Sequence, residues 1–253
     1  MNDHTRVRTL LKWTAGALGV AAGTYAGYAG VTWLRYGHPA AANPDDADSL
    51  LDRFIPVYDV AERHHIHVAA PPDITFTAAC EQDLMAVPVV RAIFKAREIL
   101  LASEPDTAAH PRGLLALTKS IGWGVLEEVP GREVVMGAVT EPWRANVVFR
   151  RLPPGEFARF NEPDHVKIVW TLRADSVATG GSIFRTETRA VATDAAARAK
   201  FRRYWSFLSP GIILIRWASL RPLKHEAERR AFRTRTRLFH SHEAILPPIA
   251  GGR

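Results

Sequence analysis

Residues 166–192 read VKIVWTLRADSVATGGSIFRTETRAVA, and this stretch decides the fold. On either side of Gly180-Gly181 the side chains alternate with a period of two, the mark of two half-buried strands joined by a turn. In the first, Val166, Ile168, Trp170 and Leu172 share one face, against Lys167, Val169, Thr171 and Arg173 on the other. In the second, Phe184, Thr186, Thr188 and Ala190 share a face opposite Arg185, Glu187 and Arg189. Thr193 or Asp194 then caps a helix, so strands give way to helix from that point.

Upstream, Trp123 to Val129 and Glu133 to Thr140 flank Pro130-Gly131 and predict a hairpin, and Ala145 to Leu152 predicts another strand before Pro153-Pro154-Gly155. Together these segments predict an antiparallel meander. Further upstream, Ala61 to Ala69 holds the β-prone run His-Ile-His-Val and stops at Pro71-Pro72, which cannot continue a ladder. Asp73 is expected to cap a short helix. Val87 to Leu101 places Val90, Ile93, Phe94, Arg97 and Leu101 at helical steps behind Pro88.

Downstream, Phe201, Tyr204, Trp205, Leu208, Ile212, Ile215 and Leu220 keep helical spacing, with Ile213, Leu214 and Trp217 widening the apolar face. Ser209-Pro210 offers a second cap, predicting two consecutive helices or one kinked helix.

The order strand, short helices, antiparallel strands and long terminal helix resembles the START/Bet v 1-like (SRPBCC) superfamily. Val68-Ala69-Ala70-Pro71-Pro72 resembles the start of such domains. The run from Glu128 to Gly137, then Trp143, Phe157 and Phe160, is similar to a bacterial branch of that superfamily. So are Thr186-Glu187-Thr188-Arg189, Thr193-Asp194, Arg198, Phe201, Tyr204-Trp205, Pro210-Gly211 and Ile215-Arg216. The resemblance spans roughly Phe54 to Arg230. It implies an α+β helix-grip fold, a curved antiparallel sheet around a long C-terminal helix and an apolar cavity for lipids, polyketides or similar molecules. Its motifs are structural, so it does not choose between binding and catalysis.

The first fifty residues have a different character. Trp13 to Leu34 carry no charged side chain over 22 residues, about 33 Å of helix against a hydrocarbon core of about 30 Å. Trp13, Trp33 and Tyr36 fall where two interfaces would lie, which predicts a transmembrane helix over 13–34. Arg6, Arg8 and Lys12 precede the span and Asp45, Asp46 and Asp48 follow, so residues 1–12 are expected in the cytoplasm and the domain outside it. A cleaved signal peptide, with Ala40 and Ala42 before Asn43, is the competing reading. Gly19, Gly23 and Gly27 fall four apart on one helix face, where a second copy could dock as a homodimer. The resulting division is 1–12 tail, 13–34 span, 35–49 linker, 50–232 domain and 233–253 basic flexible tail.

The formal net charge of +7 is unevenly spread over the 253 residues. From Arg198 to Arg237 twelve Lys and Arg meet only Glu226 and Glu228, and the rest of the chain is net acidic. Nothing beside this segment resembles a zinc finger or an RNA-binding aromatic motif, so nucleic acid is not an expected partner, whereas an anionic membrane is. Arg202, Arg216, Arg221, Lys224, Arg229 and Arg230 are expected to face solvent or lipid headgroups. Cys80, the single cysteine, excludes an internal disulfide.

Candidate residues follow from the strand faces. Trp170, Ile168, Leu172, Trp123, Phe184, Trp205 and Leu208 are the expected lining of a ligand cavity. Glu187 is an outer-face structural carboxylate if Phe184, Thr186 and Thr188 point inward, and a buried acid flanked by arginines if the register is reversed. Tyr204 is the other candidate for catalysis. His65 and His67 point the same way from a strand but lack a third ligand, so no metal and no cofactor is expected. The leading expectation is a membrane-anchored binding protein for a hydrophobic small molecule. The alternatives are a cyclase/aromatase- or hydrolase-like enzyme and a structural domain with a filled core.

Overall fold

The strands predicted at 166–192 pair antiparallel, with Trp170 opposite Thr188 and Ile168 opposite Ala190. The computed structural model describes residues 3–44, 47–104, 109–178 and 180–243, with backbone alone for 3–12, 18 and 238–243. The chain runs α1 (Asp3–Arg35), α2 (Ser49–Phe54), β1 (Val60–Val68), α3 (Pro72–Glu81), a 3-10 turn (Leu84–Ala86) and α4 (Pro88–Leu101). It continues through α5 (Leu114–Ser120), β2 (Gly124–Val129), β3 (Glu133–Thr140), α6 (Pro154–Arg159), β4 (Val166–Ser176), β5 (Ser182–Ala192) and α7 (Ala195–Glu243).

The five strands form one antiparallel sheet in the order β1-β5-β4-β3-β2. Strands β2 to β5 are a meander, and β1 closes the sheet against the last strand, with Val60 opposite Ala190 and Val68 opposite Ser182. A long C-terminal helix then crosses the closing pair. This is the α+β arrangement of a helix grip.

Both faces of the sheet are covered. On the inner face α3 and α7 bury Phe76, Ala78, Ala79, Leu223 and Ala227 against Met136, Trp170, Leu172 and Phe184. On the outer face α2 and α6 bury Leu51, Phe54 and Phe157 against Val135, Val139 and Val169. With both faces covered, all of β3 is buried rather than every second residue, and each fully buried large apolar side chain contributes roughly 1.5–3 kcal/mol.

Described residues of the linker expected at 35–49 contact this outer face. Arg63 donates to the Ala40 carbonyl at 3.1 Å, Arg173 to the Ala47 carbonyl at 2.9 Å, and Asp48 caps α2 through Leu50 N and Leu51 N.

Three local expectations change. Residues 145–152 form no strand, only the bridge between Val139 and Arg150, because β2 already pairs with β3 as far as Gly137. Asp73 lies in the first turn of α3, whose cap position is Pro71. Of the two arrangements expected at the C-terminus, the single helix is found, 49 residues with Pro210 and Pro222 inside it and about 74 Å long at 1.5 Å per residue. Side contacts hold it across Pro210: Tyr28 Oη and Ser209 Oγ are 2.9 Å apart, and Ile93 packs on Gly211. The helix also continues to Glu243, through the first half of the segment read as a flexible tail, while 244–253 lie outside the described residues.

The transmembrane expectation is not supported. Residues 13–34 are helical within α1, but among the described residues no helix is long and apolar enough to cross a membrane. Alanine and glycine supply half of this stretch, and their small side chains bring little apolar surface. Instead α1 lies against α7: Tyr25 donates to the Phe207 carbonyl, and Arg202 donates to the Trp33 carbonyl at 2.9 Å while stacking on the Trp33 ring. A Cβ added at Gly19, Gly23 or Gly27 would meet nothing within 4 Å, so this face takes no part in that packing.

Candidate ligand site in the grip

The register of β1 on β5 sets Glu62 opposite Thr188 and His64 opposite Thr186, all four on the inner face. Helix α7 runs over this pair of strands, and half-buried Arg216 shares the helical phase of its buried residues Trp205, Ser209 and Leu223. The guanidinium Nη1 of Arg216 donates to Thr186 Oγ1 at 2.6 Å, and Nη2 donates to Thr188 Oγ1. Arg216 therefore points into the sheet, correcting the expectation that it faces solvent or lipid.

The environment shifts the ionisable groups. Removal from water pushes the Arg216 guanidinium down to about 10, partly offset by the Glu62 carboxylate. Burial, helped by Arg216 and His65, lowers His64 to about 4, so its ring is neutral at neutral pH. Burial raises Glu62 against the opposing pull of Arg216 and Arg63. Glu62 Oε2 lies 3.9 Å from His64 Nε2, and that buried nitrogen has no hydrogen-bond partner.

This polar cluster interrupts two apolar ones. Trp123, Trp170, Leu172 and Phe184 are brought together with α3 and the later part of α7; the Trp123 and Trp170 rings meet edge-on at 6.0 Å. Trp205 belongs to a separate cluster with Phe201, Val60 and Ala190, on which Tyr204 and Ile212 pack. Ile168 touches both clusters, and Leu208 is partly buried. Helix α3 packs on both α7 and β4, so it fills space that an open grip would leave to a ligand.

The candidates for catalysis lie apart from the cluster. Glu187 is on the outer face, where it pairs with Arg63 at 2.8 Å and Arg189 at 2.7 Å. Tyr204 stacks on Phe201 at the start of α7. His65 and His67 are exposed on the outer side of β1, and no group of three metal-ligating side chains exists among the described residues. Burial and the nearby Glu128 and Glu81 carboxylates push the Cys80 thiol up to about 11, away from thiolate character.

A second polar region lies outside, where a pocket of about 190 Å³ is lined by Asp48, Leu50, Arg132, Glu133 and Arg173. Burial, a hydrogen bond that the protonated Glu133 carboxyl donates to Asp48, and the Asp48 charge push Glu133 up to about 8. Sequence reasoning missed Glu62 and His64, whose signal was their period-two spacing with Ile66.

No protein-family model matches the chain, and no curated protein matches it. Solved structures similar to it include protein Mll3558 from Rhizobium loti, 12% identical over 61% of this chain and 95% of that one, with a TM-score of 0.27. CalU16 from Micromonospora echinospora is 12% identical over 68% and 86%, with a TM-score of 0.24. The Zhui aromatase/cyclase from Streptomyces sp. R1128 is 13% identical over 67% and 94%, with a TM-score of 0.21. At such scores the helix-grip assignment rests on this chain's own strand order and terminal helix.

Proposed function

We propose that the protein is a helix-grip binding module for a hydrophobic small molecule, held between the sheet and α7. The observation that carries this reading is the Glu62, His64, Thr186, Thr188 and Arg216 cluster, partly reached by water and set against the apolar wall of Ile168 and Trp170. Such sites combine apolar walls with a few convergent polar groups. Entry would require a covering element to move. Helix α4 suits that role, because Val90 is its only fully buried residue and it packs on α7 through Ile93 and Gly211.

The module works at a lipid surface in this reading, lying on the bilayer rather than spanning it. Phe207, Leu214 and Trp217 are exposed on the side of α7 away from the sheet, with Arg203 and Arg221 exposed beside them. Apolar side chains bordered by cations suit an anionic headgroup layer. Organic extraction of the full chain purified without detergent, followed by mass spectrometry, tests the binding reading. A stoichiometric apolar molecule is the expected result; a ligand-free protein that also takes up no apolar fluorescent probe would refute it.

A second reading, catalysis of the cyclase/aromatase kind, is favoured by the neutral His64 ring beside Glu62. A neutral imidazole beside a carboxyl group is a pair of the kind that moves a proton at a bound carbonyl compound. Here Glu62 and His64 take the place expected of Glu187.

A further inference from the structure

Arg216 brings a positive charge into the grip without a matching negative one. Among the described residues no ion pair to it lies within 4.0 Å, and Glu62 acts on it only at longer range. Two of its five N–H groups are engaged, by Thr186 and Thr188. Both hydroxyls accept from the guanidinium, so their own protons remain free to donate. The unpartnered His64 Nε2 supplies a fourth group facing the same space, as a donor in the tautomer protonated there. Donors outnumber acceptors at this point, and a cation partly withdrawn from water gains from a partner of opposite charge.

We infer that the ligand is an acidic amphiphile, whose carboxylate is received by Arg216, Thr186, Thr188 and His64 while its apolar chain lies along Ile168 and Trp170. The inference rests on the ligand-binding reading above and names its ligand class. Trp170 stands directly opposite Thr188 in the sheet, so head site and apolar wall are adjacent. A planar guanidinium fork matches a carboxylate. Among the described residues of the cluster Glu62 is the one acid, and burial raises its proton affinity against the pull of Arg216 and Arg63.

The test measures binding of dodecanoate, dodecanol and dodecyl phosphate to the full chain by calorimetry. Dodecanoate is expected to bind about 10- to 100-fold more tightly than dodecanol, the range for hydrogen bonds to a charged group. Arg216→Gln should bring the ratio close to one while dodecanol binding persists, and Arg216→Lys should keep part of it. If Arg216→Gln does not fold, Thr188→Val serves in its place, with a several-fold loss for dodecanoate alone. Equal binding of dodecanoate and dodecanol overturns this inference and leaves the binding reading standing. Tighter binding of dodecyl phosphate reassigns the head to a phosphate ester and overturns the carboxylate. If none of the three binds, the binding reading falls and this inference falls with it.

Discussion

Arg189 Nε donates to Glu187 Oε1 at 2.7 Å, two residues along the same outer face of β5, and both side chains are more than nine-tenths buried. The same glutamate receives Arg63 at 2.8 Å, while Arg189 also reaches Asp52 at 2.6 Å and the Ile55 carbonyl at 3.1 Å. One carboxylate thus joins β1 and β5, and through Arg189 it fastens α2 to the sheet.

Removing that carboxylate leaves two arginines without it in a low-dielectric setting. Glu187→Ala is expected to destabilise the fold by about 3–5 kcal/mol, as when one partner of a buried pair is deleted. The exposed pair of Arg53 and Glu127 provides the contrast, and Glu127→Ala should cost no more than about 1 kcal/mol. Urea unfolding of the two variants measures the difference; similar midpoints would show that the outer-face network contributes little.

His64 makes stability depend on pH in a defined direction. Its folded-state value is lowered from 6.5 to about 4, so between these limits the unfolded chain binds a proton that the folded chain refuses. Stability is therefore lost as pH falls from about 6.5 toward 4, by on the order of 3 kcal/mol in all. His64→Gln stays neutral and should lose less between pH about 7 and about 4.5. Equal losses in both proteins would remove His64 from this account.

Trp217 and Leu214 separate surface from core. They are 66% and 48% exposed, so replacing both by Ser should alter unfolding by no more than about 0.5 kcal/mol each. Flotation with vesicles containing phosphatidylserine should nevertheless fall several-fold, because apolar area and charge act together there. Unchanged flotation would place the lipid contact elsewhere or deny it.

The strands were legible because β-branched and aromatic residues alternate between proline and glycine clusters. The hairpin at Pro130-Gly131 was equally plain, and Gly131 takes the positive φ that its turn requires. The candidate site was not legible, since pairing His64 with Thr186 joins residues 122 apart. Arg216 shares the helical phase of Trp205, Ile212 and Leu223, yet a charge in a basic segment reads as solvated until its neighbours are known. Likewise an uncharged stretch of 22 residues identifies a helix, whereas its surroundings depend on what α7 offers it.

Asp59 ties the N-terminal helix into the domain. Its carboxylate accepts from Tyr36 Oη at 3.2 Å and Ala192 N at 3.0 Å and pairs with Arg198 at 2.9 Å, while its backbone bonds Gly37 and Ala190. The end of α1, the edge of the sheet and the first turn of α7 thus meet at one side chain. Displacing the end of α1 would therefore disturb the sheet edge and the root of the gripped helix together.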